Sequence, residues 1–179
     1  IKFREFLSEK QFEDLIRFEG NAHGFHLLTA SREGVPGGLR LSYATLGAFM
    51  KYPKESIPHR PNRHIAAKKY GFFQADVTEF AEVAQDLGLL ANPSAGANAY
   101  FRHPLTYLVE AADDICYTII DFEDGINLGL LPEDYALEFL INLVKDGINP
   151  EKYRSISNMR DRLGYLRAIA INTLVQDAV

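Results

Sequence analysis

Glu110, Asp113, Tyr117, Asp121 and Asp124 carry groups able to do chemistry at a shared spacing, all within the stretch Arg102–Gly125, RHPLTYLVEAADDICYTIIDFEDG. The pattern predicts one long helix. At about 100° per residue, with Asp113 at zero, these residues fall near 60°, 0°, 40°, 80° and 20°, a single narrow face. Like charges three and four residues apart repel by a few tenths of a kcal/mol per pair, so packing alone gains nothing from such a stripe. A helix that must offer carboxylates to a cation, or accept hydrogen bonds from a polar ligand, needs one. Asp113 and Asp121 stand about 12 Å apart along the axis at ~1.5 Å per residue, too far for one ion to hold both. A ligand as long as a nucleotide can touch both, with a metal at the Asp113 end. Tyr117 lies between, and its ring and hydroxyl suit packing against a sugar and donating one hydrogen bond. The same spacing is also compatible with a solvated acidic face.

The helix that presents this face needs an anchor, and the sequence supplies one. Val109, Ala112, Ile115, Cys116, Ile119, Ile120 and Phe122 form a broad apolar arc on the other side, able to pack into a core. His103-Pro104 begins the helix, since proline is favoured in a first turn. Elsewhere the apolar spacing is also helical. Residues 1–18 read as helix interrupted near Ser8, a second helix starts near Asn21, and Ser42–Met50 is a short helix ended before Pro53. Asp76 is expected to cap a helix running through Phe80, Val83, Ala84 and Leu87 and stopping at Gly88. Pro132-Glu133-Asp134 starts another, closed by Gly147, and the last helical stretch follows Asn149. Residues 34–38 and 91–98 read as loops, and the proline- and charge-rich run 53–63 reads as a mobile connection or surface loop. No strand-like alternation is present in the sequence. The expectation is an all-α fold of about six to eight helices, in one helical region spanning 1–179.

Composition narrows the function classes. The chain has 179 residues, enough for one sizeable core, with 47% hydrophobic and 24% charged residues. Its 24 acidic and 19 basic residues give a net charge of −5, so no nucleic-acid or membrane surface is indicated. Cys116 is the only cysteine, which rules out an internal disulfide and fits a reducing compartment. No run of 18 apolar residues occurs, and a cytoplasmic protein is the default expectation. The sequence opens on Ile1, already inside a helical pattern, and reads as a segment of a larger protein. His23 and His26 share a helix face at i, i+3, but such a pair falls short of a metal site without further ligands. His59 and His64 have no ligand spacing. Lys68-Lys69 and the cluster Arg160, Arg162 and Arg167 are basic candidates for meeting a polyphosphate, with solvated surface as the competing reading.

The string HPLTYLVEAADDICYTIIDFEDG closely resembles the corresponding helix of bacterial deoxyguanosinetriphosphate triphosphohydrolase-like proteins, members of the HD-domain metal-dependent phosphohydrolases. Phe18-Glu19-Gly20-Asn21-Ala22, Leu41 to Ala48, Lys68 to Phe73, and Tyr165-Leu166-Arg167-Ala168 agree with that family in the same order. The resemblance implies part of an HD-domain-like helical bundle, the C-terminal part of its catalytic domain with the helices that follow. It implies a divalent metal, Mg²⁺ or Mn²⁺ by ligand chemistry, held by a His, a His-Asp pair and a final Asp. That final Asp falls on Asp113, with Tyr117 and Asp121 contacting the sugar of a bound nucleotide. Glu19 and Asn21 border the site, while His23 departs from the family's glutamine. The sequence has no His-Asp dipeptide, so the other ligands are expected upstream and this stretch alone is not expected to catalyse. The parent would hydrolyse a deoxynucleoside triphosphate to deoxynucleoside and tripolyphosphate, with Arg167 and the other basic candidates on the phosphates, as a homo-oligomer. A non-catalytic helical module for nucleotide sensing or assembly is the alternative.

Overall fold

The computed structural model describes residues 3–31, 33–57 and 65–179. His59 and His64 lie outside the described residues. The described chain is all-α, with isolated bridges such as Lys54–Ala99 and Glu55–Phe72 in place of strands. Its helices are α1 (Glu9–Ile16), α2 (Gly20–Thr29), α3 (Tyr43–Phe49), α4 (Val77–Asp86), α5 (Leu105–Asn127), α6 (Glu133–Val144), α7 (Pro150–Ser155) and α8 (Met159–Ala178). They fall into two compact units, Ile1–Tyr107 and Leu108–Val179.

In the first unit, helix starts are set by side chains that answer the free N–H groups of a first turn. The expected break at Ser8 is a capping box: the Gln11 amide donates to Ser8 Oγ (3.3 Å), and the Ser8 amide donates to Gln11 Oε1 (3.0 Å). Ser42 Oγ accepts from the Thr45 amide (3.2 Å) and starts α3. These caps orient helices around a core of Phe25, Leu46, Met50, Phe72, Phe80, Val83 and Ala84. Phe80 is its centre, stacked on Phe72 at 4.7 Å with Phe25 edge-on at 5.5 Å.

Two expectations are corrected here. Asp76 occupies the cap position of α4 but makes no cap hydrogen bond. Its Oδ1 instead faces His26 Nδ1 at 2.7 Å, tying α2 to the start of α4. The start of the run 53–63 is not surface: Pro53, Lys54, Glu55 and Ser56 are buried, while 58–63 lie outside the described residues. Buried polar groups must be answered, and here they are. Glu55 accepts from Gln74 Nε2 (2.9 Å) and the Asn98 amide (3.1 Å), while Ser56 Oγ donates to Asp14 Oδ1 (2.5 Å). The Gln74 amide donates to Asp14 Oδ2 at 2.9 Å, closing the network onto α1.

In the second unit, Ile119 of α5 packs with Leu140 and Val144 of α6 and Leu163, Leu166 and Ala170 of α8. Asn149 and Asn158 cap α7 and α8 through Oδ1. α5 begins at Leu105, just past the expected His103-Pro104 start, because the residue before a proline is driven out of helical backbone, and it runs on to Asn127, beyond the expected end at Gly125. The Arg102 side chain is used elsewhere, its Nε donating to the Lys51 carbonyl at 2.8 Å. Among the described residues no helix is long and apolar enough to cross a membrane.

Gly71 sits where the backbone of 52–54 passes closest: a Cβ there would lie 2.3 Å from the Tyr52 carbonyl oxygen and 2.2 Å from Met50 Sδ. At Gly20, in the first turn of α2, a Cβ would meet nothing within 4 Å. Chemical denaturation of the full-length protein should show Gly71→Ala destabilising by about 1–3 kcal/mol through overpacking. Gly20→Ala should be neutral or stabilising by up to about 1 kcal/mol. Equal effects at the two sites would contradict the packing described.

Burial raises the Asp76 carboxyl above its ordinary value of 3.8, with the hydrogen bond and charge of His26 working against that rise. A carboxyl that binds its proton more readily folded than unfolded contributes most below about pH 3.8, and that contribution is lost as pH climbs through the raised value. Thermal denaturation from about pH 4 to about pH 7 should therefore show the wild type losing stability relative to the Asp76→Asn variant. Parallel curves would exclude a burial cost at this position.

Candidate functional site

The second unit brings Asp113, Tyr117 and Asp121 onto one bare face of α5. All three are exposed, Tyr117 at 62%, and Asp124 continues the row towards the C-terminal end. Successive members stand about 6 Å apart along the axis. Glu110, at the other end of the row, is half-buried. The apolar arc is covered best on the flank away from Asp113, by packing of Ile119, Phe122 and Ile126 with α6 and α8, and Ala112, Ile115 and Cys116 are half-buried. Val109 and Ile120, expected in the core, are exposed at 47% and 40%. The reason is angular: they lie at about −40° and −20°, next to Asp113, on the edge of the arc that α6 and α8 do not reach. The exposed face is therefore amphipathic, with a carboxylate–tyrosine–carboxylate line beside aliphatic side chains. Leu105 and Leu108, nearer the start of α5, are exposed as well.

Among the described residues no three His, Cys, Asp or Glu side chains converge where one ion could bind them. A divalent cation requires several oxygen or imidazole donors, and Asp113 offers one carboxylate. The row can thus contribute one donor to a cation and can hydrogen-bond and pack along an extended polar ligand, but it does not form a complete metal centre.

The arginines of α8 have different assignments. Arg167 Nη1 donates to Glu123 Oε2 of α5 at 2.5 Å; the Glu123 side chain is 14% exposed and that of Arg167 42%. Arg162 Nε donates to the Ile156 carbonyl at 2.6 Å and its guanidinium lies 5.5 Å from the centre of the Tyr153 ring. Arg160 is exposed on the first turn of α8. Two of the basic candidates are therefore engaged in holding the second unit together. The Glu123 partner was not legible in the sequence, because it lies 44 positions from Arg167 and follows from no local spacing.

In the first unit, Glu19 and Asn21 meet directly. The Glu19 carboxylate caps α2, accepting from the Asn21 amide (2.7 Å), the Ala22 amide (3.3 Å) and Asn21 Nδ2 (2.9 Å). Lys69 Nζ stands 3.3 Å from the same carboxylate, and Lys68 is exposed next to it in the chain. The Tyr70 hydroxyl is pushed up to about 12 by burial first and then by the negative charges of Asp14 and Glu19, which keeps it neutral. His23 and His26 do not turn to a common ligand. His23 packs on Phe18, ring centres 5.2 Å apart, while His26 Nδ1 is taken by Asp76. Both line an open basin of about 440 Å³ with Leu7, Leu15, Phe18 and Phe73.

No family model matches the chain. Curated relatives do. A deoxyguanosinetriphosphate triphosphohydrolase-like protein of Synechocystis sp. is 45% identical over 171 residues, 92% of this chain and 37% of its own length. The protein of the same name in Pseudomonas aeruginosa is 38% identical over 176 residues, 96% of this chain and 39% of its own length. That of Listeria monocytogenes is 38% identical over 128 residues, 71% of this chain and 25% of its own. The chain therefore spans about two fifths or less of the relatives it matches. The chain belongs to the deoxyguanosinetriphosphate triphosphohydrolase-like proteins, as a segment of the longer protein that they represent.

Proposed function

We propose that this chain supplies one wall of the active site of a metal-dependent deoxynucleoside triphosphate triphosphohydrolase, which cleaves its substrate to deoxynucleoside and tripolyphosphate. The observation that carries the reading is the bare Asp113–Tyr117–Asp121 line on α5, in a chain whose relatives bear the name of that activity. Asp113 is the donor this chain gives to a divalent cation, Mg²⁺ or Mn²⁺, and such an ion would offset charge on the phosphate oxygens and lower the pKa of a bound water. Tyr117 packs against the sugar, and its hydroxyl donates one hydrogen bond to the sugar or a phosphate oxygen. Asp121, about 12 Å from Asp113 along the axis, accepts from the far end of the nucleoside. The aliphatic edge formed by Val109 and Ile120 displaces water beside the row, which strengthens each of those polar contacts. Glu19 serves as a helix cap that orients Asn21, and Lys68 and Lys69 are exposed basic candidates for meeting phosphate, Lys69 being paired with Glu19. A cytoplasmic location and a homo-oligomer belong to the same reading.

With a single donor assigned among the described residues, the 179 residues alone do not turn over substrate in this reading; the remaining ligands come from the rest of the protein. Asp113→Ala in the full-length protein should reduce metal-dependent release of tripolyphosphate by at least about 100-fold, the upper end of what losing even an outer metal contact costs. Tripolyphosphate release at the wild-type rate would sink the assignment. Nucleotide binding by the full-length wild type with no turnover under any divalent metal would favour the sensing or assembly module instead.

A further inference from the structure

We propose that Glu123 and Arg167 act together as a positioning pair that sets the rotation of α5 about its own axis, and thereby the aim of Asp113, Tyr117 and Asp121. The inference rests on the function proposed above and assigns Arg167 a part in it other than phosphate binding. Glu123 sits at about 280° on the helix wheel, between the covered part of the apolar arc near 240° and Asp113 at zero. The apolar contacts of Ile119, Phe122 and Ile126 hold α5 against its neighbours, but such contacts are non-directional and tolerate small rotations. A charge-assisted hydrogen bond is directional, and the Arg167–Glu123 bond is the ion pair described between α5 and α8. Its carboxylate is largely shielded from water, so it is less screened than a surface pair.

The arginine end is itself fixed. Leu163, Leu166 and Ala170 are buried in the core on the same stretch of α8, so the backbone that carries Arg167 cannot slide. The lever arm is what makes the pair matter. At a side-chain radius of about 5–6 Å, a rotation of ~20° moves the functional atoms on the opposite flank by about 2 Å. Misplacement by about 1 Å can cost 10²-fold in rate. Loss of either partner should therefore be felt as misaim along the row.

The test is a double-mutant cycle in the full-length protein, with deoxynucleoside and ribonucleoside triphosphates as substrates. Glu123→Gln and Arg167→Met should each lower kcat by at least about 10-fold and narrow the preference for the deoxy sugar. The double variant should be no worse than the poorer single one, because both remove the same interaction. Arg167→Lys, which keeps the charge and loses the planar fork, should recover part of the loss. Variants are compared only where their Tm matches the wild type; if Arg167→Met does not fold, Glu123→Gln and Arg167→Lys decide. A raised KM for Arg167→Met with Glu123→Gln silent would make Arg167 a phosphate ligand and overturn the proposal. So would wild-type kcat and sugar preference in both Glu123→Gln and Arg167→Lys. Asp113→Ala in the same assay separates the two levels. If it remains active the proposed function fails, whereas if it is inactive and the pair variants are unaffected, only the positioning role fails.

Discussion

A helix can be covered from one side without losing its use on the other, and α5 depends on that constraint being met. Its contact line, Ile119 buried with Phe122 and Ile126 partly buried, is narrow, and lies on the flank of the arc away from the acidic row. A wider apolar contact would have drawn Val109 and Ile120 inwards and carried Asp113 towards a dry interface. An uncompensated carboxylate there costs several kcal/mol. The narrow contact leaves the acidic row exposed, where the mutual repulsion of its carboxylates is softened by water. The price of that arrangement is a helix held mainly by non-directional contacts.

The first unit solves a different problem, that of keeping polar groups inside. Glu55, Ser56, Asp14 and Gln74 come from distant parts of the chain, and each answers a donor or acceptor that would otherwise be stranded. Burial still tells on the charged members. Asp14 is raised by desolvation against the hydrogen bonds of Ser56 and Gln74, and Lys54 is lowered by desolvation against the charge of Glu55. Such networks fix a unique geometry when fully satisfied. Here they hold α1 and the start of α4 in place around Tyr70 and Glu19, where burial first, and then the negative charges of Asp14 and Glu19, push the phenol up.

What was legible in the sequence divides along the range of the interaction. Local signals were readable: the break at Ser8 is a capping box, Ser42 starts α3, and Gly88 with φ of 63° ends α4. The 3.6-residue period gave α5 its two faces, and the Asp113–Tyr117–Asp121 line is exposed as one row. Long-range pairings were not readable. Asp76 has the composition of a cap, but a histidine 50 positions earlier in the chain claims its carboxylate. Pro53 to Ser56 has the composition of surface, yet it is interior because its partners arrive from residues 14, 74 and 98. Angular periodicity also overstates burial at the edges of an arc, as Val109 and Ile120 show, since a neighbour covers a sector and not a half-circle.

The same distinction explains why arginines that look alike in sequence separate in the structure. Arg160, Arg162 and Arg167 all fall in the first half of one helix, and composition offers no ground for ranking them. Their partners do. Arg162 is spent on the Ile156 carbonyl, just before its own helix, and so braces the turn between α7 and α8. Arg167 reaches the helix that carries the acidic row and meets its one half-buried carboxylate partner there. A guanidinium bonded to a shielded carboxylate has part of its charge compensated there and only its remaining N–H groups to offer a phosphate, and removing one partner of such a pair leaves the other charge poorly compensated. The cation that remains exposed is free of that penalty. Electrostatic partners thus sort basic residues that sequence proximity leaves equivalent, and they tie Arg167 to α5, as the positioning role proposed for it requires.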